Sequence, residues 1–235
     1  MTPQIPFDFF LPEAPRFENF IVGENGEAVA HLRTLMAGSA KSGARVVVLW
    51  GGRAVGKSHL LSAVAVDSAS ASLRLSAAST FPADPFVGTR ILCVDDADQL
   101  NAEQQAWLFT AFNHVAQSGG VTIATGQSAP GRWPLRVDIR TRLASGLAFE
   151  LLPLPQGDLP AALSAYAAGR GFDVSNEVLT FLLRHHQRDI ASLCQTLAGA
   201  DRLSLALKRR VTVHLLRNYL NETLDTSKAG TGFTI

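Results

Sequence analysis

Apolar and polar positions follow two different patterns along this chain. Arg45 to Trp50 is a short β-branched run, Arg-Val-Val-Val-Leu-Trp, with Ser42-Gly43 before it and Gly51-Gly52 after it, and it predicts a buried strand of a parallel sheet. His59 to Asp67 carries Leu60, Leu61, Val64 and Ala65 at helical spacing. Leu73 to Ser76 gives a weak strand signal, whereas Arg90-Ile-Leu-Cys-Val94 is a strong one that ends in two acids. Asn101 to Gln117 predicts a helix with a polar start, and Asn101 with Gln104 three residues on has the form of a capping box. Val121 to Thr125 is a further strand, ending at Gly126. Strand, helix and strand alternate, so this part is α/β with a parallel sheet.

Around Leu151-Leu-Pro-Leu-Pro155 the period changes. From Asp158 onward the pattern is helical only: Leu159 to Ala168, Ser175 to His185, Arg188 to Lys208 and Val213 to Thr223, with Arg210 to Val213 as a short extended link. Asp173 or Ser175 caps the second of these helices. The result is a small helical bundle. Asp225 to Ile235, rich in Thr, Gly and Ser, is expected to fray.

The chain has 235 residues, 47% apolar and 17% charged, which suits a globular protein and excludes a disordered or collagen-like one. Its 21 basic residues against 20 acidic ones give a net charge of +1 and argue against wholesale coating of DNA, which needs a basic excess. Cys93 and Cys194 are too few for a disulfide framework or a metal cluster and fit a reducing compartment. The N-terminus lacks a basic start and is broken by Pro3, Pro6, Pro12 and Pro15, so no signal peptide is expected. With no long apolar run, the expectation is a cytoplasmic protein without a membrane partner.

Gly51-Gly52-Arg53-Ala54-Val55-Gly56-Lys57-Ser58 fits G-x-x-x-x-G-K-[ST] at every fixed position and lies between a predicted strand and a predicted helix. Glycines let successive backbone N–H groups converge on phosphate oxygens, and the helix N-terminus adds partial positive charge. Lys57 is expected to reach the β- and γ-phosphates, and the Ser58 hydroxyl to ligate Mg²⁺. Asp95 and Asp96 emerge at the carboxyl end of their strand, beside the phosphate loop, where ligands of open α/β sheets collect. Asp95 would hold Mg²⁺ through its water shell, and Asp96 would polarise the attacking water. Arg132, Arg136, Arg140 and Arg142 form either a solvated basic face or, in one of them, an arginine finger aimed at a neighbouring subunit's nucleotide. His185 and His186 read as a surface pair at a helix end, and Trp107 and Phe112 as core.

On these motifs the chain resembles the DnaA/Hda family of AAA+ ATPases, and its short Hda-type members most closely. The resemblance implies an α/β AAA+ P-loop NTPase with a parallel-sheet core and a C-terminal helical lid. The expected boundaries are 1–14 for a clamp-binding peptide and linker, 15–152 for the nucleotide-binding subdomain, 153–223 for the lid and 224–235 for a flexible tail. Phe17 to Asn25 is similar to the segment that packs on the adenine, which assigns Phe20, Ile21 and Val22 to the nucleotide, ADP or ATP with Mg²⁺, together with His59 after the loop. By the same resemblance Arg142 is the finger acting in trans, Arg140 is its neighbour, and Arg188 touches the phosphates from the lid. Gln127 stands where the family usually shows an acid with a part in hydrolysis.

Gln4-Ile5-Pro6-Phe7-Asp8-Phe9 resembles the family's peptide for the sliding clamp of the replicative polymerase: Ile5, Phe7 and Phe9 would fill a hydrophobic groove and Gln4 would fix the register. Too few residues separate Ser58 from the Arg90 strand for the initiator's extra single-strand-binding helix, and too few follow Leu220 for its helix-turn-helix reader. The resemblance therefore implies a regulator that meets DNA through the clamp and stimulates ATP hydrolysis by DnaA, its own ATPase being weak and its state monomeric or homodimeric. A nucleotide-gated adaptor without catalysis and a helicase loader are the alternatives.

Overall fold

A computed structural model describes residues 14–37, 45–68, 71–82, 88–185 and 189–229, with side chains as far as residue 221. The chain forms two compact units, residues 15–153 and the helical residues from 154 onward.

In the first unit the elements are α1 (Gly26–Met36), β1 (Val46–Trp50), α2 (Lys57–Asp67), β2 (Ser72–Ser76), β3 (Ile91–Asp95), α3 (Ala102–Gln117), β4 (Val121–Gly126), α4 (Val137–Ala144) and β5 (Leu147–Glu150). The five strands make one parallel sheet in the order β2-β3-β4-β1-β5. Alternate side chains of each inner strand go to opposite faces. Val47, Leu49, Cys93 and Ile123 join Leu32 of α1 and Leu60 and Leu61 of α2 in one core, while Val48, Leu92, Val94 and Ala124 join Leu108, Phe112, Ile139 and Leu143 of α3 and α4 in the other. Burial on both faces explains why the inner strands read as continuous apolar runs.

The weak strand signal at Leu73 to Ser76 marks a real strand, β2 at the sheet edge, with Arg74 exposed upon it. The capping box is present: Asn101 Oδ1 accepts from the Gln104 N–H, and Gln104 Oε1 accepts from the Asn101 N–H. Phe112 is core as expected, but Trp107 is only half-buried and its indole N–H donates to the Pro82 carbonyl. Three elements carry little sequence signal. In α1 the buried set is Ala28, Val29, Leu32 and Leu35, α4 buries only Ile139 and Leu143, and β5 is largely exposed.

The second unit contains α5 (Leu159–Gly169), α6 (Asn176–His185), α7 (Ile190–Leu207) and α8 (Val213–Ala229). Ser175 rather than Asp173 caps α6, and Asp189 caps α7 by accepting from the Ser192 N–H. The last helix, α8, extends to Ala229. His185 is exposed and its ring packs 4.6 Å from that of Phe181. Both cysteines are buried thiols outside any disulfide, and no helix among the described residues is long and apolar enough to cross a membrane.

A Cβ placed on Gly199 of α7 would overlap the Tyr219 ring of α8. Gly199→Ala is expected to cost about 1–3 kcal/mol through overpacking, outweighing a helix-propensity gain of up to about 1 kcal/mol, and a lowered urea midpoint checks this.

Candidate nucleotide-binding site

β1 delivers the chain to the carboxyl edge of the sheet between two hydrogen-bonded neighbours, β4 and β5, so the backbone after Trp50 must turn out of the sheet. Gly51 turns at φ +147°, where a side chain would overlap the Leu151 carbonyl, and its N–H donates to the Gly126 carbonyl at 3.3 Å. Ala54 at φ +59° and Gly56 at φ +97° complete the wrap. Lys57 then opens α2 and folds back into the loop, its Nζ donating to the carbonyls of Gly51 at 2.8 Å and Gly52 at 2.5 Å. Burial lowers the pKa of Lys57, opposed by the negative charges of Asp96, Asp95 and Asp98. No acid occupies the first turn of α2, so no carboxylate of its own competes for the positive end of the helix. An ammonium drawn inside a ring of backbone and a free helix N-terminus fit the phosphates of a nucleotide.

The segment expected to meet the base is stapled against this loop. Asn25 uses its amide on Leu152, donating from Nδ2 to the carbonyl at 3.0 Å and accepting from the N–H at 2.8 Å. The Phe20 ring packs against Gly56 and lies 5.4 Å from the ring of His59, whose Nε2–H donates to the Arg16 carbonyl at 2.9 Å. Burial lowers the His59 pKa against the opposing effect of that bond. Ile21 is half-buried and Val22 exposed. The structure thus brings Phe20 and His59 together with the loop, but the Val22 side chain faces solvent. Arg53 is exposed, and Val55 is buried in the core beneath.

The acids are not on the strand next to the loop, because β4 intervenes between β1 and β3. That order makes Thr125 of β4 the connecting residue. Its hydroxyl donates to Asp95 Oδ1 at 2.6 Å and accepts from the Asp96 N–H at 2.9 Å. The other oxygen of Asp95 accepts from Arg74 Nη2 at 3.1 Å, and the carboxylate is buried. Asp96 stands at φ +50°, and its pKa is raised by burial and by the charges of Asp95 and Asp98, against Lys57 and Arg53. Gln127 is exposed, and its N–H donates to Asp98 Oδ2 at 2.9 Å.

These residues fit Mg²⁺ only in part. Ser58 is exposed, but Asp95 is committed to Thr125 and to a guanidinium that already neutralises it. Sequence reasoning missed Thr125 and Arg74. The available signals were a lone arginine in a β-strand and a hydroxyl residue at the end of the strand before Gly126.

Arg142 lies on the other face of the sheet. Its Nη1 donates to Asn113 Oδ1 at 2.6 Å and its guanidinium sits 4.9 Å over the Phe109 ring, so two residues of α3 hold it. Arg136 pairs with Asp138 at 2.7 Å and also lies over Phe109, while Arg132 is exposed. Arg188 of the expected nucleotide set and His186 lie outside the described residues, as do Gln4, Ile5, Phe7 and Phe9.

Domain III of the Thermotoga maritima replication initiation protein DnaA superposes with a TM-score of 0.65 at 17% identity, over 94% of this chain and 98% of that one. AMPPCP-bound DnaA from Aquifex aeolicus gives 0.60 at 20% identity, over 80% and 67%, and the Thermotoga maritima RuvB Holliday junction branch migration motor gives 0.52 at 15%, over 82% and 68%. The fold is that of an AAA+ P-loop protein with a parallel five-stranded core. Residues 157–220 match the family model described as Hda, lid domain, and the fold is like that of DnaA domain III.

A folded-state pKa of Asp96 raised above the ordinary carboxylate value means that the folded state holds this proton more tightly than the unfolded one, so stability falls as pH rises through that interval. Asp96→Asn, which tolerates the same left-handed backbone, is expected to stabilise the nucleotide-free protein at about pH 7, with the gain shrinking toward about pH 4 as the native Asp96 takes up its proton. Urea titrations of both proteins at the two pH values check it.

Proposed function

We propose that this protein binds an adenine nucleotide in the loop of residues 51–58 and presents Arg142 to ATP held by DnaA, promoting its hydrolysis while docked on the sliding clamp. The observation that carries the reading is the separation of the two functional parts. The loop and α2 pack with the core on one face of the sheet, and Ile139 and Leu143, which flank Arg142 on α4, pack with the core on the other. The charges acting on Lys57 are Asp96, Asp95 and Asp98, with none of the arginines of α4 among its partners. A guanidinium held on the far face serves a nucleotide on another molecule better than its own.

In this reading the nucleotide of the protein itself fixes shape. Lys57 exchanges the Gly51 and Gly52 carbonyls for phosphate oxygens, and Phe20 with His59 forms an apolar wall beside the loop. A bound Mg²⁺ would supply charge neutralisation of the phosphates, with the Ser58 hydroxyl as the residue free to face it. Asp96 is the remaining acid for orienting water. The Gln127 side chain makes no hydrogen bond among the described residues and carries no charge, which supports weak hydrolysis by the protein itself. On DnaA, the Arg142 guanidinium would stabilise charge developing on the transferring phosphoryl; Asn113 takes one of its five donors and Phe109 fixes its plane, leaving the rest of the fork preorganised. The Hda-type lid at residues 157–220 and the DnaA-like fold support DnaA as the partner. Residues 4–9 would supply the attachment to the clamp, so that DNA is met through it, and the protein would act in the cytoplasm. The same Gln127 also favours a second reading, a nucleotide-gated adaptor that catalyses nothing.

Arg142→Ala is expected to return DnaA to its unstimulated rate in the presence of clamp-loaded DNA, a fall of about 10³-fold or more. Asn113→Ala, which frees the guanidinium without removing it, is expected to fall between, about tenfold down. Full stimulation by Arg142→Ala would overturn the finger role, and no stimulation by the native protein would favour the adaptor. Gln4→Ala is expected to weaken retention on immobilised clamp while leaving nucleotide binding unchanged.

A further inference from the structure

The one basic residue of β2 lies where the nucleotide site needs it least. In the parallel register Arg74 stands opposite Cys93, and Asp95 is two residues further along the same face of β3. From there the guanidinium reaches diagonally to Asp95 Oδ2 at 3.1 Å, while Thr125 holds Oδ1 at 2.6 Å. The Asp95 side chain is 7% exposed. Both oxygens are therefore engaged by donors, and the charge of the carboxylate is balanced within the protein. Cys93, between the two on this face, feels the same pair: burial pushes its thiol up to about 12, Arg74 working against the rise and Asp95 with it.

We infer that Arg74 is a built-in counter-cation for Asp95, which takes the place of a divalent metal ion there and makes nucleotide binding by this protein largely independent of Mg²⁺. The inference rests on the nucleotide site proposed above. A divalent ion brought to Asp95 meets a carboxylate already neutralised and a fixed positive charge at its side. It must either displace Arg74 from a buried partner or sit against the repulsion of the guanidinium. Lys57 and the loop N–H groups are untouched by Arg74 and continue to hold the phosphates. The geometry thus separates holding the nucleotide, which the loop does, from recruiting the metal, which Arg74 opposes.

The test is the affinity of the full chain for a fluorescent ADP analogue, measured in Mg²⁺ and in EDTA. For the native protein the two dissociation constants are expected to agree within about threefold, and for Arg74→Leu the Mg²⁺ value is expected to be tighter by about tenfold or more. Arg74→Lys, which keeps a positive charge on β2, should behave as the native protein does. A native protein that binds at least about tenfold more tightly in Mg²⁺ overturns the inference while leaving the nucleotide site standing. An Arg74→Leu protein that folds, binds and stays indifferent to Mg²⁺ overturns it too. No binding of the analogue in either buffer overturns the nucleotide site itself, and the inference with it. The native comparison needs no variant and can overturn the inference even if Arg74→Leu, which strands Asp95, fails to fold.

Discussion

The central constraint is the burial of β1 on both faces and both edges. Val47, Val48 and Leu49 are wholly inaccessible, β4 and β5 take up the backbone groups on either side, and the strand ends against the Leu151 backbone. A chain leaving such a strand has one direction open to it, outward over the carboxyl edge. The positive φ values of Gly51, Ala54 and Gly56 follow from that confinement, because the loop must reverse within a few residues and start α2 in packing contact with the same sheet. Lys57 is drawn into the loop as a consequence. Its first-turn position places the ammonium over carbonyls turned inward by the wrap, so a cation is in place before any phosphate arrives.

Strand order does the rest. Because β4 separates β1 from β3, the two acids at the end of β3 stand one strand away from the loop, and a residue of β4 must set their geometry. Thr125 does so with one hydroxyl, which donates to the first carboxylate and accepts from the N–H of the second acid. Of the three described non-glycine residues at positive φ, Ala54 and Asp96 lie at this site, so the backbone strain is concentrated there.

Much of this was legible in the sequence, for identifiable reasons. The inner strands are buried on both faces and so appear as apolar runs, and the phosphate loop has fixed spacing because its geometry tolerates few alternatives. β5 was not legible because it is an edge strand with Leu147, Ala148 and Glu150 exposed, and α4 was hidden because a helix of eight residues with two buried side chains and two arginines has almost no apolar face. The role of Thr125 depended on strand order, which no local pattern encodes. Arg74 falls in the weakest strand signal of the chain, although an arginine alternating with Leu73 and Leu75 on an edge strand needs a partner across the sheet. The side-chain partners of Arg142 were equally out of reach, since Asn113 and Phe109 look like any polar and aromatic positions of an amphipathic helix.

The two-faced arrangement limits how the molecule can engage a partner through Arg142. In a two-fold contact the same patch meets itself, so for Arg142 to reach the loop of a second copy, both features would have to share one surface. They do not, because Arg142 rides on the α3–α4 face and the loop opens into α2 on the opposite one. If Arg142 acts in trans as proposed, the contact is therefore heterologous, the arginine face of one molecule against the nucleotide edge of another. Such a contact leaves the loop of the first molecule facing away from it, free to hold its own nucleotide undisturbed. That is the arrangement required if the bound nucleotide fixes shape and the arginine acts elsewhere.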